Sequence, residues 1–347
     1  MTASLFATRS LGNTTLRLSE LGFGGAPLGN LYQPITDAVA TETVSVALRV
    51  GMNLFDTSPY YGFGLSERRI GDALRGIDKK QYVLSTKVGR LLIPAAESDT
   101  TRLRDNFLPA MRFESHYDYS YDGIMLSYES SLQRMGLADV DILLVHDIGK
   151  LTHGDNDAYY FNQLATSGYQ ALEELRRNGD VGAIGLDVNE CDVCERVMEF
   201  AQFDCFLLAG CYSLLEQGPL HTLFPKCQAL GISIISGGPY HSGILATGVD
   251  DKETAHYNYT PAPKPIADRV ARIQEVCDAF AVTLAAAALQ FPLAHPVVAS
   301  VIPGLDSQQR VAETIALFNQ PIPPAFWQAL KDEQLLDAEA PVPNRMG

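Results

Sequence analysis

Four side chains of the kinds that move protons stand close to the ends of three short apolar runs. Asp56 sits near the end of the run at 53–57, Lys87 closes 82–87 and His146 closes 141–146, with Tyr61 in the loop five residues after Asp56. An ammonium beside a phenol favours the phenolate and draws a tyrosine pKa of about 10 toward neutrality, and a carboxylate can hold that ammonium in place. Such a tyrosine gives or takes a proton. Each residue alone also has a plain structural reading: Asp56 capping a turn, Tyr61 packing, Lys87 paired with any acid, His146 satisfied in a core. Their recurrence at successive run ends argues for a site.

The elements that would position them are legible as alternation. Eight short β-branched or apolar runs, at 21–25, 53–57, 82–87, 141–146, 183–188, 205–209, 232–237 and 299–303, are separated by longer stretches with helical spacing. Ile124, Met125, Tyr128, Leu132 and Met135 mark one such helical face. Gly51, Gly136, Gly179 and Gly231 stand just before runs, where a left-handed helix cap is expected. Alternating strands and helices predict a parallel sheet, and eight units predict a (β/α)₈ barrel. A doubly wound open sheet is the alternative, but the glycines of 21–30 do not have G-x-G-x-x-G spacing. The opening segment alternates around Gly12-Asn13 and reads as a β-hairpin, placed to plug the lower end of the barrel. Two long insertions, at about 96–122 and 239–263, carry many Tyr, Phe and His residues, Tyr257 and Tyr259 among them, and are expected to hang over the upper face. No linker or internal repeat divides residues 1–347, which read as one domain.

Composition narrows the function. Hydrophobic residues at 46% supply a core, and a net charge of −15 disfavours nucleic acid and anionic membranes as partners. The start lacks the pattern of a secretory signal and no long apolar run occurs, so a cytoplasmic location is expected. Cys191 and Cys194 form a C-x-x-C, but Cys205, Cys211, Cys227 and Cys277 add no second close pair, so reduced, packed thiols are expected rather than a metal site.

The segments Asn53–Leu74 (NLFDTSPYYGFGLSERRIGDAL), Leu84–Gly89 (LSTKVG), Asp141–Asp147 (DILLVHD) and Val301–Gly304 (VIPG) resemble the aldo-keto reductase family in order and spacing, over about residues 11–318. The resemblance implies a (β/α)₈ barrel and a nicotinamide cofactor across its C-terminal face. It also implies a catalytic tetrad falling on Asp56, Tyr61, Lys87 and His146. Tyr60 is the neighbouring rival, but Tyr61 stands immediately before Gly62 as the motif requires. Further segments, among them LGFGGAPLGN, IGLDVNE and SGGPYHSGILATG, look like the branch that oxidises cyclic hemiacetals to lactones: D-threo-aldose (L-fucose) dehydrogenases, and with them pyridoxal 4-dehydrogenases. The reading from this likeness is an NAD(P)-dependent dehydrogenase of a cyclic hemiacetal, such as L-fucose or D-arabinose. A pyridoxal 4-dehydrogenase and a general NADPH-dependent aldehyde reductase are alternatives, and a nicotinamide-binding regulatory subunit is a further one.

The cofactor set implied by the resemblance comprises Gly25, Asp56, Asn189, Gly237, Gly238, Gly304, Asp306, Arg310, Glu313 and Thr314. Asn189 matches the asparagine expected on the nicotinamide amide, and Gly237 stands where relatives place an aromatic platform. NADPH-preferring relatives often carry Lys-Ser where this chain has Gly304-Leu305, followed by Asp306, so NAD is expected over NADP; a carboxylate accepts from ribose hydroxyls and repels a phosphate. Candidate substrate contacts are Tyr60, Phe63, His116, Tyr121, Tyr240 and His241, since sugars bind aromatic faces edged by donors; packing explains any one equally well. No metal is called for.

Overall fold

A computed structural model describes residues 5–95, 103–249, 255–257 and 260–344. Tyr259 and parts of both insertions lie outside the described residues. Eight parallel strands form one sheet: β1 (Phe23–Gly24), β2 (Leu54–Asp56), β3 (Val83–Val88), β4 (Ile142–His146), β5 (Ala183–Val188), β6 (Cys205–Ala209), β7 (Ser233–Gly237) and β8 (Val298–Ile302). Bridges from Leu21 to Val301 and from Gly24 to Gly304 join the first strand to the last and close the (β/α)₈ barrel. Closure leaves the sheet without a free edge. All eight expected runs are strands, with ends shifted by a residue or two, and the open doubly wound sheet is ruled out by those bridges.

Strand parity divides the core. Alternate residues such as Leu54, Ile142, Leu144, Ala183, Cys205 and Leu207 fill the barrel interior, while Phe55, Leu143, Val145, Ile184, Leu186 and Phe206 face outward under the helices. The parity that buries Ile142 and Leu144 inside brings His146 to the upper mouth.

The surrounding helices start and stop where their chemistry dictates. Helix Tyr121–Met135 begins at Ser120, whose hydroxyl accepts from Gly123 N–H, and ends at Gly136 with φ of 62°. Gly51, Gly179 and Gly231 also adopt positive φ.

The amino-terminal segment is a hairpin, Thr8–Ser10 paired antiparallel with Arg17–Ser19. Its turn sits against the lower barrel rim: Gly12 N–H donates to Ser233 Oγ at 2.7 Å. A Cβ on Gly12 would lie 2.6 Å from the Asp204 carbonyl oxygen. Leu11 and Leu18 plug the interior from below. Part of the first insertion is ordered as an antiparallel pair, Arg90–Pro94 with Phe113–Tyr117.

Candidate active site

Three adjacent strands deliver the expected proton-handling residues to one place. Lys87, from β3, is fully buried, and its Nζ donates to both carboxylate oxygens of Asp56 at 2.8 and 2.7 Å and to the Thr57 carbonyl at 2.9 Å. Asp56 also accepts from Ser85 Oγ at 2.5 Å. Burial alone would strip the lysine of its proton, but Asp56 and then Asp187 outweigh it and raise the Lys87 pKa. The ammonium lies 4.9 Å from the centre of the Tyr61 ring. Across the mouth, the rings of Tyr61 and His146 meet edge to face at 6.2 Å.

The carboxylates around His146 bear on its tautomer. Ser58 Oγ accepts from Tyr60 N–H and lies 3.2 Å from His146 Nδ1. His146 Nε2 lies 3.5 Å from Asp147 Oδ2 and 3.7 Å from Asp187 Oδ2, and two carboxylates favour a proton on that nitrogen. Burial, with Arg90 and Lys87 beside it, pushes the His146 pKa well below the usual imidazole range. The imidazole is neutral and points an N–H toward the mouth.

Tyr61, His146, Arg90, Asp147 and Asp187 line a cavity of about 220 Å³ together with Tyr60, Asp105, Asn106, Phe107, Asn189 and Ala209, with Lys87 and Asp56 buried behind it. Tyr60 lies under the guanidinium of Arg90, 4.0 Å from its ring centre, and Arg90 donates to Asp147 at 2.5 Å. Tyr60 is therefore wall, and burial raises its pKa out of reach of proton transfer at neutral pH. Asn189 projects to the same side of its strand as Asp187, two residues on, and its amide donates to the Ala209 carbonyl at 3.1 Å.

The remaining substrate candidates are placed elsewhere, with Phe63 one layer back. Phe63 is buried behind Tyr60 in a small cluster with Phe107. His116 is exposed on the antiparallel pair, opposite Leu91, while Asp105, Asn106 and Phe107 of the same insertion reach the mouth. Tyr121 opens an outer helix and donates to Glu174, so it belongs to the helical layer. His241 is buried against Ser213 Oγ at 2.6 Å and stacked on Tyr257, and it does not line the cavity. Tyr240 is half-buried beside the hydrophobic core, near Arg310.

A second cavity, of about 290 Å³, is lined by Gln33, Asp306, Ser307, Arg310 and Glu313 beside helix Gln308–Asn319. The Asp306 carboxylate accepts from Gln33 Nε2 at 2.6 Å and Ser307 Oγ at 3.0 Å, and Arg310 pairs with Glu313 at 3.2 Å. Thr314 is buried in that helix and does not line the cavity, a departure from the expected set. At Gly25 a Cβ would meet the Asp56 carbonyl at 2.4 Å, and at Gly304 it would meet Pro27 at 2.9 Å. Gly238 has φ of +55°, and a Cβ there would find nothing nearer than 3.9 Å. At Gly237 a side chain would strike Leu207 at 2.7 Å, so Leu207 occupies the space an aromatic platform would need. The polar groups of the two cavities, Asn189 in one and Asp306 and Arg310 in the other, are the described residues that could hold an extended dinucleotide.

Asp187, Asp147, Arg90 and Ser58 escaped the sequence reading. Asp187 lies one residue before the end of its run, where parity alone would have aimed it into the barrel.

The comparisons agree with this geometry. The model of the Aldo/keto reductase family matches residues 20–333. The chain is 39% identical over 337 residues to pyridoxal 4-dehydrogenase of Microbacterium luteolum, covering 94% of this chain and 97% of that one. It is 32% identical over 323 residues to D-threo-aldose 1-dehydrogenase of a Pseudomonas species, covering 92% and 95%. Among solved structures, the holo form of aldo-keto reductase AKR11C1 from Bacillus halodurans superposes with a TM-score of 0.71 at 25% identity, covering 98% of this chain and 99% of that one.

Proposed function

The chain belongs to the aldo/keto reductase family and is an NAD(P)-dependent oxidoreductase, and from that premise we propose that it oxidises the carbinol carbon of a cyclic hemiacetal, giving a lactone. The observation that carries this reading is the buried Lys87–Asp56 pair set against Tyr61 and faced by a neutral His146. When bound, the nicotinamide supplies the hydride acceptor. Tyr61 takes the hydroxyl proton, with Lys87 stabilising its phenolate. Asp56 fixes Lys87. His146 donates its Nε2–H to the same oxygen and sets its direction, which holds the carbon at reacting distance.

The cavity of about 220 Å³ is below the range of roughly 300–1,000 Å³ typical of drug-sized ligands, which suits a single ring. Flat walls from Tyr60, Tyr61 and Phe107 favour an aromatic hemiacetal, in keeping with the 39% identical pyridoxal 4-dehydrogenase. The polar lining from Arg90, Asp105, Asn106 and Asn189 favours an aldose as the second reading. Asp306, held by Gln33 beside the second cavity, would accept from a ribose hydroxyl and repel a 2′-phosphate there, which supports NAD over NADP.

The test is reduction of NAD⁺ and, separately, NADP⁺ by pyridoxal, L-fucose, D-arabinose and L-galactose near pH 9, where release of the hydroxyl proton is favoured. NADH formation with pyridoxal alone supports the aromatic reading, and formation with one sugar supports the second. Silence across the panel, with small aldehydes reduced by NADPH, overturns both.

A further inference from the structure

Asp187 is a carboxyl that the tetrad does not account for. Its side chain is 7% exposed, and Oδ2 lies 3.3 Å from Lys87 Nζ and 3.7 Å from His146 Nε2, on the wall of the reaction cavity. It is the register partner of His146, so closure of the barrel fixes that approach. The groups facing it are Lys87 from β3, Asp56 from β2, and His146 and Asp147 from β4, while its register partner on β6 is Leu207. Asp147 is matched by Arg90, and Asp56 takes two contacts from Lys87. Three carboxyls thus share two cations, and Asp187, at the longest distance, is the one left short.

We propose that Asp187 is a positioning carboxyl that works through Lys87 as the proton store of the oxidation, ionised before hydride transfer and protonated after it. The inference rests on the function proposed above. With a nicotinamide bound to accept the alcohol C–H hydride with its electron pair, the O–H proton would pass to the Tyr61 phenolate. Lys87 then gives one N–H proton to Asp187 Oδ2 and takes the Tyr61 proton in its place, which restores the phenolate. No further oxidant is consumed. Burial, aided by Asp56 and Asp147 and opposed by Lys87, pushes the Asp187 pKa up to about 7, so the carboxyl can hold and release a proton near neutrality.

The test compares the parent with Asp187→Asn and Asp187→Glu. In the parent, two groups must lose protons for oxidation, so log kcat/KM is expected to fall on the acid side with a slope of about two. Asp187→Asn is expected to reduce that slope to about one and to lower the rate on the alkaline plateau about tenfold, with Asp187→Glu restoring the steeper limb. A carboxyl band in the infrared difference spectrum of the cofactor-free protein, taken on either side of pH about 7 and absent from Asp187→Asn, gives a readout independent of turnover. Unchanged slopes together with no such band overturn the proposal. If no hemiacetal is oxidised at all, the function reading fails by itself. Aldehyde reduction then replaces oxidation, and the same loss of slope is expected on the alkaline limb.

Discussion

A fully buried ammonium survives only if its charge is met, and at Lys87 Asp56 supplies most of the match. Breaking such a pair from one side costs about 3–5 kcal/mol, because the other charge stays buried. Asp56→Asn is therefore expected to lower the urea midpoint strongly. Asp56→Asn combined with Lys87→Met is expected to recover much of that loss while activity stays absent. Tyr61→Phe separates chemistry from folding differently. It keeps the ring and its contact with His146, so the unfolding midpoint is expected to stay near the parent's while kcat drops about 10²–10⁴-fold in steady-state assays. A variant retaining full turnover would remove Tyr61 as the proton acceptor.

At the scale of elements, local chemistry at two termini is directly testable. Ser120→Ala removes an N-cap and is expected to cost about 1 kcal/mol in denaturant unfolding. Between β8 and the helix that follows, Asp306→Ser is expected to shift the ratio of NADP⁺ to NAD⁺ dissociation constants about tenfold toward NADP⁺, since like charges in apposition are costly. Equal ratios in the two proteins would clear Asp306 of any part in cofactor choice. What the sequence made legible followed from the same local rules. Runs of apolar residues ending in Asp, Lys and His gave the strands and their upper ends, and glycines before runs gave the helix stops. Asp187 is equally readable by parity, because Ala183, Gly185 and Asp187 alternate along their strand toward the barrel interior. His116, Tyr121 and His241 were not readable in this way. Whether an insertion folds over the mouth or along the flank depends on distant partners, such as Leu91 for His116, Glu174 for Tyr121 and Ser213 for His241.

Across the whole molecule, buried imidazoles set how stability follows pH. Burial holds His241 and His295 at a pKa of about 4, below the unfolded value of 6.5. Between those values the unfolded chain binds more protons, so stability rises with pH and is lost as pH falls from about 6.5 toward about 4. Asp187, at about 7 against 3.8, acts with the opposite sign over a similar window, as do the raised carboxyls of Asp147 and Glu190, while the lowered His146 and His153 add to the two imidazoles. The melting temperature is expected to fall on acidification through this window, and more gently in His241→Asn; an identical slope would assign the effect elsewhere.

The hairpin beneath the barrel has a consequence for traffic. With Leu11 and Leu18 stopping the lower end and side chains such as Leu54, Leu144 and Leu207 filling the interior above them, the described residues leave the reacting groups to be approached from the upper rim. A dinucleotide laid along that rim from Asn189 to Asp306 would narrow that approach. Substrate would then be expected to arrive second and product to depart first, with the plug on the opposite side of the molecule closing the alternative route.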